Sequence, residues 1–160
     1  MGSAKVMESS QEIQCRIVVA ALVDEHHRIL STIDNLLDGG SATPASRLRL
    51  AKRTCAMLTR HFSAEQRYLY PSIRLARPDG DRVVELELVQ DRDLLEHARR
   101  LPSYVDQPAR FGKLLSELDT LVRQHIHTCS LELFPPVVAT TANAGGDMLV
   151  GRGTYPPPPD

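Results

Sequence analysis

Apolar residues recur every three or four positions through four stretches of this chain, the spacing of helices that turn one face to a core. In the first stretch the inward series runs Leu22, His26, Ile29, Ile33 and Leu36, with Cys15, Val18 and Val19 ahead of it. Ser9 and Glu12 have the spacing of a capping box, and Gly39 with Gly40 closes the stretch. Thr43 and Pro44 can cap and open a second helix whose stripe is Leu48, Ala51, Cys55, Leu58, His61, Glu65 and Tyr68. Pro71 and the turn at Pro78, Asp79 and Gly80 limit it. A third helix is predicted from about Asp81, with the stripe Val83, Leu86, Gln90, Leu94, His97 and Leu101, closed by Pro102. Pro108 opens a fourth, with Phe111, Leu114, Leu118, Leu121, His125 and Cys129 inward, and Pro135-Pro136 stops it. Four amphipathic segments joined by short links predict an all-α fold, an up-down-up-down four-helix bundle over residues 9–136. Residues 1–8 read as a flexible leader, and the Pro- and Gly-rich residues 137–160 as a disordered tail.

Composition narrows the classes. At 160 residues the chain is read as one domain with enough length to bury a core. A formal net charge of −1 gives no global field toward nucleic acid or a bilayer, and neither is expected as a partner. The first residues lack the apolar core of a signal peptide, and no apolar run reaches the ~20 residues of a membrane span. Cys15, Cys55 and Cys129 are odd in number and widely spaced, which fits reduced thiols and a cytoplasmic location.

The chemistry lies on the stripes. His61 and Glu65 are four residues apart and so share one helical face, in a phrase, HFSAEQRYLYP, that nearly recurs as HIHTCSLELFP from His125. The preceding helices carry a matching pair, EHHRIL and EHARRL, so the chain reads as two similar helical hairpins. One inward histidine is usually a satisfied core residue. Four, one per helix at His26, His61, His97 and His125, need partners that a bundle centre rarely offers, and a metal ion would serve them all.

On Glu25-His26, His61 with Glu65 and its LYP ending, Glu96-His97, and His125 with its LFP ending, the chain resembles the hemerythrin-like (HHE cation-binding) domain family across roughly residues 15–136. The resemblance implies a bundle around a non-haem di-iron centre, with His26, His61, Glu65, His97 and His125 as metal ligands and Glu65 as a bridging carboxylate. It also implies a small ligand such as O2, peroxide or NO. The chain departs from the family pattern in two places: Cys129 stands where a second carboxylate belongs, and Leu101 and Asp93 stand where many relatives carry a second histidine on the third helix. Cys129 as thiolate, Glu132 or Asp93 could complete the site, and Cys129 would favour zinc or a mixed-metal centre. Tyr68, one turn past Glu65, is a further candidate to ligate metal or hold the carboxylate, and His27 an additional ligand candidate. His127 is expected to face solvent. Oxidase or peroxide- and NO-consuming activity is one expectation, with no catalytic residue assigned. A metal- or redox-responsive sensor or interaction module with a separate protein partner is the alternative, and a bundle that has lost its dinuclear site is a third.

Overall fold

The structure, a computed structural model, describes residues 10–39 and 43–144. The chain folds into α1 (Ser10–Leu37), α2 (Pro44–Ala64), α3 (Tyr70–Ala76), α4 (Gly80–Arg100), α5 (Pro108–Thr128) and α6 (Phe134–Ala144), with no strand among the described residues. The long helices form a ring in which α1 and α4 each pack against both α2 and α5. This is the four-helix bundle that the hydrophobic periodicity predicts. Thr43 caps α2 as expected, its hydroxyl accepting the Ser46 N–H at 3.2 Å with Pro44 following. Gly39, at φ 72, ends α1 in the left-handed conformation that glycine adopts without strain. The proposed Ser9 cap, the leader at 1–8 and residues 145–160 lie outside the described residues.

Neither Pro71 nor Pro135-Pro136 ends its helix. Each is preceded by a π turn, Glu65–Leu69 before α3 and Cys129–Leu133 before α6, whose wider ring closes from Tyr70 N–H to the Glu65 carbonyl and from Phe134 N–H to that of Cys129. Proline lacks an N–H and crowds the carbonyl four residues back, and a widened turn relieves both problems. Arg77 completes the second case. Pro136 cannot bond the Glu132 carbonyl, and Arg77 Nη1 donates to that carbonyl at 3.3 Å. The helical path therefore runs on to Ala144, with Val137 buried. The expectation of a disordered tail from 137 does not hold for residues 137–144.

The interior has three layers. One apolar cluster gathers Ile29, Ile33, Leu58, Phe62, Leu94, Leu118 and Val122. A second, toward the π turns, holds Leu22, Leu69, Tyr70, Ile73, Val84 and Leu133. Between them every long helix contributes a buried polar residue: His26 from α1, His61 from α2, Glu87 and Asp91 from α4, and His125 from α5, with Glu65 at the start of the first π turn. A polar layer in the middle of a dry bundle is costly unless its members satisfy one another or bind something.

Candidate metal centre

Helical periodicity explains how the layer assembles. His26 lies one turn from Leu22 and from Ile29, so α1 cannot bury those residues without burying the imidazole between them. On α2 and α5, His61 and His125 follow Leu58 and Val122 along the core face. The π turn that begins at Glu65 keeps its side chain on the same face, fully buried.

The geometry is compact. One donor atom from each of His26, His61, Glu65 and His125 lies within 4.8 Å of every other. His61 Nε2 is 3.0 Å from His26 Nε2 and 3.3 Å from His125 Nε2. Glu65 Oε1 is 3.3 Å from His61 Nε2 and 3.4 Å from His125 Nε2. Four donors around a divalent ion with bonds of ~2.0–2.1 Å define edges of about 3.3 Å when tetrahedral and about 3.0 Å for adjacent octahedral positions. The four short spacings, 3.0–3.4 Å, match such edges, and the whole set, spread over up to 4.8 Å, would tighten slightly around an ion.

Outer partners orient this set. His61 Nδ1 stands 3.0 Å from Glu25 Oε2, a half-exposed carboxylate. A proton on Nδ1 shared with Glu25 leaves the Nε2 lone pair facing the cluster, the usual arrangement around a ligating histidine. His26 stacks on Phe134 with centroids 5.9 Å apart, and Phe62 meets the His125 ring edge-on at 5.2 Å. These aromatic walls hold the rings and exclude water.

Burial and charge set the protonation. Burial, reinforced by the neighbouring His61 and His125, pushes His26 down to about 3, so it is a neutral ring with a free lone pair. Burial also pulls on His61, but the Glu65 and Glu25 carboxylates outweigh it and hold the ring above its ordinary value. Glu65 is buried, which alone would raise its pKa, yet His125 and His61 keep the carboxyl far below the usual range. Neutral His26 and ionised Glu65 are forms that bind a cation, and a cation binding at His61 would displace the proton that the carboxylates favour there.

The structure separates the sequence candidates sharply. His26, His61, Glu65 and His125 come together, whereas His97 does not: it is partly exposed on the outer side of α4, bonded through Nδ1 to the Asp93 carbonyl at 3.0 Å and 3.9 Å from Glu117. Asp93 and Glu132 carry exposed side chains. Tyr68 also points outward, beside Arg67, and His27 and His127 face solvent. Cys129 does reach the cluster. Its thiol donates to Glu65 Oε1 at 3.5 Å and lies 3.5 Å from His125 Nε2, and burial with the Glu65 and Glu87 charges pushes its pKa up.

Three residues were missed. Tyr70, rather than Tyr68, is inward, donating to Asp91 Oδ2 at 2.6 Å, with its hydroxyl 3.4 Å from Glu65 Oε2. Asp91 and Glu87 take the inward positions on α4. The true inward series there is Gly80, Val84, Glu87, Asp91, Leu94, Ala98 and Leu101. It alternates steps of four and three without a break, from Gly80 onward. A Cβ on Gly80 would sit 2.6 Å from the backbone of Ile73 and Arg74, so α4 meets α3 closely there. The expected stripe through Val83, Leu86, Gln90 and His97 followed the apolar side chains and ran one position off, and Leu86 is in fact exposed. The unbroken spacing from Gly80 to Leu101 was the available signal.

A model of the hemerythrin HHE cation-binding domain matches residues 17–137. That stretch includes the donor cluster, both π turns and most of the bundle. No curated protein and no solved structure matches the chain. The chain belongs to the hemerythrin HHE cation-binding domain family.

Proposed function

We propose that this member of the HHE cation-binding family holds non-haem iron at His26, His61, Glu65 and His125, within a dinuclear centre that binds or reacts with a small ligand such as O2, peroxide or NO. The observation that carries the reading is the gathering of three buried imidazoles and a buried glutamate, with His61 and His125 Nε2 on Glu65 Oε1 and His26 Nε2 on His61. The donor set fits the group: imidazole nitrogen with carboxylate oxygen suits iron, and a thiol at the rim leaves zinc as the competing occupant. Iron bound there would supply a redox change and an open coordination position.

The chain's own residues do the rest. Glu25 holds the His61 proton on Nδ1 and so aims Nε2 inward. Tyr70 donates its single proton to Asp91 Oδ2 at 2.6 Å, with its hydroxyl 3.4 Å from Glu65 Oε2 and so between the two carboxylates. Phe62 and Phe134 wall the imidazoles from water. Two surface grooves, of about 270 Å³ bordered by Leu22, Glu25 and Ala64 and of about 40 Å³ beside Glu25 and Ile29, meet at Glu25, the outer partner of His61.

Among the described residues no helix is long and apolar enough to cross a membrane. All three cysteines are free thiols, which supports the cytoplasm as the compartment. The test is to load the metal-free protein with Fe(II) anaerobically and record absorption as NO, O2 or peroxide is added. New ligand-to-metal bands in the wild type, absent in His61→Ala, are the expected result. Iron uptake without any spectral response to the three ligands would refute reactivity while leaving metal binding intact.

One observation favours a sensing role as a second reading. Glu87 Oε2, Asp91 Oδ1 and His125 Nδ1 are buried without a hydrogen-bond partner. A metal-free bundle with such groups at its centre is destabilised, so occupancy would alter its stability strongly. Loss of hydrogen-exchange protection in the π turns on metal removal, without any turnover by the loaded protein, is the outcome that supports sensing.

A further inference from the structure

The surface of α2 carries charge of one sign. Residues 39–64 include no Asp or Glu, while Arg47, Arg49, Lys52, Arg53 and Arg60 are cationic, in a chain whose net charge is −1. Arg47 is engaged, donating to the Val105 carbonyl at 2.8 Å beside the Phe111 ring. Lys52, Arg53 and Arg60 are exposed and meet Arg28 of α1 and Arg99 of α4 around one groove of about 660 Å³. No acidic residue lines that groove, and among the described residues none of its five cations forms an ion pair. Elsewhere Arg74, Arg77 and Arg123 each stand within 3.1 Å of a carboxylate. Unpaired cations gathered round one groove repel one another, and a partner that brings negative charge relieves the repulsion.

The base of the groove and its length narrow the partner. Between the cations lie Cys55, Met57 and Pro102, half-buried, with Cys55 and Met57 packed on the apolar core. Lys52 and Arg60 are eight residues apart on one helix, about 12 Å, farther than a single phosphate or carboxylate bridges. The matching ligand therefore has several anionic groups spread along its length and apolar side chains among them. No aromatic residue lines the groove to stack a nucleic-acid base. The apolar residues lie at its base rather than protruding, so a bilayer surface does not reach them.

We propose that this groove docks an acidic segment of a partner protein, whose Asp and Glu side chains meet Arg28, Lys52, Arg53, Arg60 and Arg99 and whose apolar side chains enter beside Met57 and Pro102. Arg28, Met57 and Arg60 also border the small groove beside Glu25, so a docked segment lies next to the outer partner of His61. Docking needs no metal, so its failure and that of the metal centre are separate results. Opposite charge steers the encounter, and binding weakens as salt rises.

The test measures binding of the full chain, by fluorescence anisotropy, to a labelled helical peptide with leucine on one face and glutamate on the other. Three further anionic probes are compared: the same peptide with serine for leucine, single-stranded oligothymidylate, and vesicles containing phosphatidylserine. The wild type is expected to bind the leucine peptide at least ~10-fold more tightly than the serine peptide or oligothymidylate, and not to sediment with vesicles. Arg53→Glu/Arg99→Glu, which reverses one cation on each wall, should weaken peptide binding at least ~10-fold. Arg82→Glu/Arg92→Glu, which reverses two exposed arginines of α4 outside the groove, should bind as the wild type does. No binding of the leucine peptide, or equal binding by the wild type and the groove variant, overturns the proposal. Equal affinity for the serine peptide would assign the surface to charge alone, tight oligothymidylate binding to nucleic acid, and sedimentation with vesicles to a membrane, and each contradicts the proposal. Melting temperatures check that the variants fold. If charge reversal unfolds the chain, Arg53→Gln/Arg99→Gln takes its place, with a loss of roughly 3-fold expected and no loss overturning the proposal.

Discussion

The two halves of the bundle share a phrase and differ in what it delivers. In the first half, α1, α2 and the π turn after it bring His26, His61 and Glu65 to one point. In the second half the same order of elements brings His125 and Cys129, and the histidine that mirrors His26, His97, faces outward. Its place is taken by two carboxylates that the repeat does not contain, Glu87 and Asp91. What is repeated is the backbone: a long helix, a π turn beginning four residues after the histidine, and a proline two residues past the turn. What differs is the rotation of the helix that starts each half. Gly80, at the start of the inward face of α4, lets that helix approach α3 closely. A repeated motif therefore predicts where a helix bends better than which of its residues become ligands.

Equivalent positions in the two halves give the largest expected contrast. Glu65→Ala should abolish tight metal binding, beyond the ~10–100-fold loss typical of an outer partner. Cys129→Ala, at the matching position of the second half, should leave metal content unchanged and cost only the stability of a small buried side chain, about 1 kcal/mol. Metal analysis after dialysis and a melting curve read both, and equal loss of metal in the two variants would make Cys129 a ligand of the same rank as Glu65.

Next in size is Glu25, which acts on the centre through His61. Glu25→Gln should weaken metal binding by roughly 10- to 100-fold with the fold intact. An unchanged affinity, measured by competition with a chelator, would show that the ring is held by packing against Phe62 alone.

A third effect belongs to α4 and depends on pH. Burial and the nearby Glu65 charge raise Asp91 to about 7. A carboxyl that holds its proton more tightly when folded stabilises fully near pH 4 and loses that contribution as pH rises through about 7. The metal-free wild type should therefore lose stability relative to Asp91→Asn between pH 5 and pH 8, by on the order of 1–2 kcal/mol. Chemical denaturation at the two pH values measures the gap, and a gap that narrows as pH rises contradicts the assigned direction. The smallest effect is that of His97→Ala, which should change neither metal content nor affinity, since the ring lies outside the polar layer. A loss of metal there would mean that α4 turns on loading.

The bundle was legible because periodicity, the Thr43-Pro44 cap and Gly39 all act locally. On α1, α2 and α5 the inward histidines were legible for the same reason: each lies on a stripe with apolar residues at both ends. On α4 the stripe is interrupted by Glu87 and Asp91, so tracing apolar residues selected Val83 and Leu86 and carried His97 inward with them. The π turns were hidden because proline reads as a stop. The extra residue of a π turn also shifts the phase that follows it, which is why Tyr70 replaces Tyr68 in the core and why α6 extends past Pro136.

The central claim is that the polar layer is a metal centre. The most direct test is metal content per chain, with the visible absorption spectrum, on full-length protein produced in iron-supplemented medium. The account predicts bound metal that survives dialysis and is lost in a His61→Ala/His125→Ala variant. Well-folded wild-type protein carrying no metal, and taking up none from added Fe(II) or Zn2+, would contradict it.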